Sequence, residues 1–265
     1  MHIFIRTVLI SCCLAGFAAA PVAADQVIRI KPRPGVFLKM LADDPGDAKA
    51  VAVLLPGGSG LVKIKNDATF KGTKGNFLTR SRKTFAGNGL ITVLFDAPSD
   101  HRKGKGLTFA YRMTPEHATD INKAIRRLRQ VYPGLPVWLV GTSRGSTSAA
   151  NVAATIETGG PDGIVLMSSV GVATKHGGNV HDFDLAKIKI PVLVVNHLKD
   201  GCRLTAVFGA INIKAAMVNS TAAELLIVEG GSAGNGNPCK AKTHHGYQGI
   251  EAMVVEAIAG WIKSH

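Results

Sequence analysis

Apolar residues in this chain gather in short runs, separated by polar and glycine-rich stretches. Eight runs have the length of strands, over 27–30, 36–41, 51–55, 91–95, 137–140, 164–167, 192–195 and 225–228. Several are unbroken runs of valine, isoleucine and leucine, the pattern of strands buried on both faces in a helix-covered parallel sheet. Between them the spacing changes. Thr114 stands as a cap before Pro115, a favoured first helical position. Ala118, Ile121, Ile125 and Leu128 then recur at helical intervals, so one face packs on the sheet, and Pro133 stops the helix. Small residues over 146–154 predict a helix packed close to strands. Further helices are predicted over 76–86, 210–218 and 250–262.

Strands alternating with helices predict an α/β fold, with a mostly parallel central sheet flanked by helices. The first two strands, joined through Arg33-Pro34-Gly35, predict an antiparallel edge. No stretch is long enough for a large cap domain. The segment 168–190 exceeds ordinary loop length and is expected to cover part of a site, leaving a fairly open cleft.

The first residues change the picture of where the protein works. Arg6, an apolar core over 8–20 and the small residues Val22-Ala23-Ala24 read as a secretion signal over 1–24, with Asp25 the first mature residue. The apolar core is short for a membrane span, so no stable span is expected after signal removal. Leu9-Ile10-Ser11-Cys12 faintly resembles a lipoprotein box, but the apolar run before Cys12 is only a few residues long. A periplasmic or secreted location follows. Cys12 and Cys13 leave with the signal, and Cys202 and Cys239 remain as an even pair, which predicts a disulfide. No tight Cys/His spacing supplies a metal site.

Lysine and arginine number 31 against 18 acidic residues, a formal net charge of +13 at pH 7. The cations are spread along the chain, as in Lys63, Lys65, Lys71 and Lys74 or Arg126, Arg127 and Arg129. That reads first as a solvated basic exterior, with anionic substrates or an anionic envelope surface as the alternative. No nucleic-acid motif accompanies the charge, so no nucleic-acid partner is expected.

Gly141-Thr142-Ser143-Arg144-Gly145 lies between the apolar run 136–140 and the small-residue helix. Strand, sharp turn and helix form the context in which Gly-x-Ser-x-Gly holds a nucleophilic serine. A second match, Gly230-Gly231-Ser232-Ala233-Gly234, runs into Asn235-Gly236-Asn237-Pro238, which is loop chemistry. Ser143 therefore has the right context and Ser232 does not. A serine hydroxyl needs an adjacent base, and that base an orienting acid. His244, His245 and terminal His265 follow the last predicted strand. His245 is preferred because Gly246 permits a close backbone approach, and His244 is its rival. For the acid, Asp200 follows the run 191–196. Glu229 is the serious alternative, and Asp182 and Asp184 read as cap or surface residues. A Cys202–Cys239 bridge would tie the acid loop to the histidine loop, contributing about 3–4 kcal/mol by chain entropy. An oxyanion site needs backbone N–H groups. Arg144 supplies one and the loop Pro56-Gly57-Gly58-Ser59-Gly60 the other, through Gly58 or Ser59. That loop lacks Gly-Lys-Ser/Thr and opens no dinucleotide fingerprint.

Together Pro56-Gly57-Gly58, Gly141-Thr142-Ser143-Arg144-Gly145, Asp200 and His245-Gly246-Tyr247 resemble the α/β-hydrolase family, most closely its compact dienelactone-hydrolase-like branch. The resemblance covers nearly all of residues 25–265. It implies the α/β-hydrolase fold and a serine hydrolase working through an acyl-enzyme on a small-molecule ester or acyl substrate, without metal or cofactor. Many members have His-Gly where this chain has Pro56-Gly57. Dienelactone hydrolases use a cysteine nucleophile, so Ser143 argues for ester-type activity instead. Fold and triad do not set the leaving group, so peptidase and thioesterase activity share the same residues. A catalytically silent binding protein on the same fold is the reading from a different class.

Overall fold

The computed structural model describes residues 25–172 and 177–265. The signal-peptide expectation over 1–24, with Arg6 and Cys12, lies outside the described residues. All eight apolar runs form strands: β1 (Gln26–Arg33), β2 (Val36–Asp43), β3 (Ala50–Leu55), β4 (Leu90–Phe95), β5 (Val137–Thr142), β6 (Gly163–Met167), β7 (Val192–His197) and β8 (Ala223–Val228). They make one sheet in the order β1-β2-β4-β3-β5-β6-β7-β8. β1 pairs antiparallel with β2, and β2 with β4, giving the expected antiparallel edge. Every other pairing is parallel.

The unbroken apolar runs explain this arrangement. Along β3, Val51, Val53 and Leu55 enter one core while Ala50, Ala52 and Leu54 enter the other. A strand apolar on both faces must be covered on both faces, and helices cover it. α3 (Pro115–Val131), α4 (Arg144–Thr155) and α5 (Val207–Ala216) bury side chains in the first core. α1 (Phe77–Gly87) and α6 (Glu251–Ser264) fill the second.

The helix starts follow local chemistry. Asn76 Oδ1 accepts from the Leu78 N–H to cap α1, and Thr114 Oγ1 accepts from the His117 N–H to cap α3. Ala118, Ile121, Ile125 and Leu128 are all buried. The predicted helix over 210–218 begins three residues earlier, at Val207. Periodicity fixes no boundary there, because α5 is apolar on its exposed side too, with Phe208 and Ile211 facing solvent. One short helix, α2 (Phe109–Arg112), has no sequence signal beyond its cap Thr108.

Parallel strands deliver their C-terminal ends to one edge of the sheet, where α/β proteins bind ligands. There β3 runs into Pro56–Gly60, β5 into Ser143 and β7 into Asp200.

Candidate active site

Ser143 sits between β5 and α4 with φ 53° and ψ −125°. That region is disfavoured for a residue with a Cβ, and holding it costs about 1–3 kcal/mol. The surroundings impose it. The Ser143 N–H donates to the Met167 carbonyl at 2.9 Å, and its carbonyl accepts from the Ser146 N–H at 2.9 Å. Gly145 lets α4 start against the sheet, since a Cβ there would run into the carbonyl of Leu55. Gly57 does the same for the facing loop. A Cβ on it would lie 2.7 Å from the Thr142 carbonyl oxygen and 2.8 Å from Ser143 Cβ. The loop after β3 is thereby pressed onto the serine turn.

His245 lies in a single turn, His244–Gly246, before α6. Its Nδ1 is 3.1 Å from Asp200 Oδ2 and 3.0 Å from Thr205 Oγ1. Thr205 Oγ1 donates to Asp200 Oδ2 at 2.8 Å. With that hydrogen committed to the carboxylate, Nδ1 faces two acceptors, so the imidazole hydrogen resides on Nδ1 and Nε2 is bare. The Cys202 N–H donates to Asp200 Oδ1 at 2.9 Å, which fixes the carboxylate from its other oxygen. Asp200, Thr205 and His245 are all buried.

Further contacts hold the histidine loop. The His245 carbonyl accepts from Ser168 Oγ at 2.9 Å, and its N–H donates to Thr243 Oγ1 at 3.1 Å. The Arg80 guanidinium, on α1, donates to the carbonyls of Gly246, Ala241 and Gly75 and pairs with Glu251. Tyr247, wholly buried, donates to the Val195 carbonyl at 3.0 Å, and burial raises its pKa. The Cys202–Cys239 disulfide is present, with 4.6 Å between the Cα atoms, and joins the loop after β7 to the loop before His245.

These elements surround a cavity of about 490 Å³, walled by Ser143, His245, Gly58 and Ser59, with Phe109 and Lys240 among its other neighbours. Of the segment 168–190, Val170 alone among the described residues reaches it. Cover comes instead from Phe109 and the loop around Asn237–Ala241. The structure thus brings Asp200 and His245 within hydrogen-bonding distance, and Ser143 and His245 to one cavity. Among the described residues the Ser143 hydroxyl has no hydrogen-bond partner, and neither has His245 Nε2.

The N–H groups of Gly58, Ser59 and Arg144 also meet no acceptor among the described residues. The Pro56 carbonyl at the head of the glycine-rich loop accepts from Arg112 Nη2 at 2.9 Å. Arg112 is fully buried and also donates to Ser148 Oγ at 2.7 Å. Burial, then the neighbouring Arg144, pushes its pKa down to about 9, which keeps it charged at neutral pH. The Arg144 side chain stacks over Phe109, 4.3 Å from the ring centroid.

The rivals lie elsewhere. His244 stacks flat on His197 at 4.3 Å, with its Nδ1 3.1 Å from the Lys199 carbonyl. Glu229 is exposed. Asp182 closes a capping box with Asn179. Ser232 is exposed in a loop, its Oγ accepting from the Gly234 N–H. Thr205 and Arg112 were not legible as site residues, because a lone threonine in a polar loop and an arginine in a mixed segment carry no pattern.

No family model matches the sequence, and no curated protein matches it. Solved structures do. A dienelactone hydrolase from Anabaena variabilis is 16% identical with a TM-score of 0.61, covering 91% of this chain and 98% of that one. An esterase from Pyrococcus furiosus is 14% identical with a TM-score of 0.63, covering 91% of each. A monoglyceride lipase from Saccharomyces cerevisiae, in complex with a substrate analogue, is 11% identical with a TM-score of 0.64, covering 95% and 99%. The chain has the α/β-hydrolase fold that these proteins share.

Proposed function

We propose that this chain is an exported serine hydrolase that cleaves carboxylic esters of small molecules. The observation that carries the reading is the pairing of a backbone-strained Ser143 with a buried Asp200–His245 hydrogen bond at one cavity. Ser143 Oγ attacks the acyl carbonyl while His245 Nε2 takes its proton, and Asp200 stabilises the imidazolium through Nδ1–H. The carbonyl oxygen becomes an oxyanion held by the N–H groups of Gly58 and Arg144. Collapse breaks the ester bond and His245 returns the proton to the leaving alcohol. Water, deprotonated by His245, then attacks the acyl-enzyme, releasing the acid and restoring Ser143. Export accords with the Cys202–Cys239 disulfide and with the signal-like residues 1–24 of the sequence.

The test is pre-steady-state hydrolysis of p-nitrophenyl acetate. The expected result is a burst of nitrophenol near one equivalent of protein. Replacing Ser143 by Ala abolishes it, and His245→Gln lowers kcat by about 10³-fold or more. His244→Gln is expected to change kcat by no more than about threefold. A full burst in Ser143→Ala overturns the assignment.

A further inference from the structure

Away from the cavity, an open groove of about 590 Å³ is lined by Lys39, Lys63, Lys65, Lys71 and Arg102, with Asn66 and Asp67 at its rim. Arg29 reaches the same place, donating to Asn66 Oδ1 at 3.0 Å. The two acids here are already engaged. Asp96, wholly buried, accepts from the Lys63, Ile64 and Ala97 N–H groups and pairs with Arg102. Asp67 accepts twice from Thr69 within its own turn and lies 3.9 Å from Lys65 Nζ. Among the described residues, Arg29, Lys39, Lys63 and Lys71 therefore have no carboxylate partner.

Like charges gathered this way repel, and folding does not require them to meet. Lys39 registers the strain: burial first, then Arg102 and Arg29, lower its pKa, and Asp96 offsets this only in part. The backbone carries a second mark. Lys63 holds φ 60°, a conformation that disfavours any side chain, and the hydrogen bonds that the Lys63 and Ile64 N–H groups donate to Asp96 fix it there. Asn66 adds direction. Its Oδ1 accepts from both Lys39 and Arg29, so its Nδ2 hydrogens remain available as donors.

We propose that this groove binds a ligand carrying several phosphate charges. Four cations without a carboxylate in ion-pair contact call for a multiply charged anion. The free donors are chiefly point-charge ammonium groups, which suit tetrahedral oxyanions, whereas a planar carboxylate is best matched by a guanidinium fork. The groove is continuous with the catalytic cavity in the chain. One segment lines the cavity through Gly57–Ser59, forms the groove over 63–71, and returns to the cavity at Thr73, Asn76 and Phe77. The site stands on its own observations and does not need the hydrolase reading.

Calorimetric titration at low salt with tripolyphosphate, and co-sedimentation with phosphatidylcholine vesicles with and without phosphatidic acid, test it. Lys65, Lys71, Arg126 and Arg127 are exposed, so charge reversal leaves the fold intact. The pair Lys65→Glu with Lys71→Glu is expected to weaken binding by at least about tenfold, whereas Arg126→Glu with Arg127→Glu, equal in net charge, weakens it less than about threefold. Saturable tripolyphosphate binding with that dependence identifies a free oligophosphate. The same dependence with phosphatidic acid vesicles alone identifies a lipid headgroup. Absence of both, or equal weakening by both pairs, overturns the proposal.

Discussion

At Ser143 the conformation and the chemistry make opposite demands. A glycine would relax the turn but has no hydroxyl. Ser143→Gly is therefore expected to be more stable than Ser143→Ala, by about 1 kcal/mol or more, while both lack activity. Urea unfolding of the two variants checks this. Thr205 offers a second residue-level prediction. Thr205→Val removes the hydroxyl that bridges Asp200 and His245. The expected outcome is a fall in kcat of about tenfold with KM little changed, because ring orientation matters most in the transition state. Arg112 acts through the Pro56 carbonyl. Arg112→Met leaves that carbonyl unpaired in the core, so stability should drop by about 1–3 kcal/mol. That Asp200 and His245 meet, and share a cavity with Ser143, was legible because chain order, strand context and flanking glycines constrain all three. Their supporting residues were not, since Thr205 and Arg112 gain meaning only from the groups they touch.

Among the elements, strands were the most legible and loops the least. An unbroken valine–isoleucine–leucine run declares burial on both faces, and β3 to β7 obey it. α2 escaped notice because a single turn has no period, and its place is set by contacts such as Arg112 with Ser148. The loops around Asp200 and His245 owe their positions to α1, through Arg80, and to the Cys202–Cys239 bridge. Reduction, or paired replacement of both cysteines by Ser, is expected to lower unfolding free energy by about 3–4 kcal/mol, the chain-entropy figure. Chemical denaturation with and without reductant measures it. The same change should lower kcat and raise KM together, since the bridge holds the loops of Asp200 and His245 and also the Asn237–Ala241 wall of the cavity.

For the whole molecule, the sheet order sets which ends meet, and no single run of sequence states that order. Its acid response is written in a buried ring. His117 is wholly enclosed, its Nε2 2.8 Å from Ser148 Oγ, and burial, aided by Arg112, His101 and Arg33, keeps its pKa well below the usual histidine value. The unfolded chain takes up this proton near pH 6.5 and the folded protein does not. Stability from this group is thus intact above about pH 6.5 and falls below it by about 1.4 kcal/mol per pH unit. Urea midpoints at neutral and mildly acidic pH should show that slope, and His117→Gln should flatten it.

The reading stands or falls on Ser143 being the nucleophile. Reaction with a fluorophosphonate, followed by mass mapping of peptides, addresses it directly. One adduct per chain is expected on the peptide containing Ser143, and none there in Ser143→Ala. An adduct on Ser232, or none on the folded protein, would contradict it.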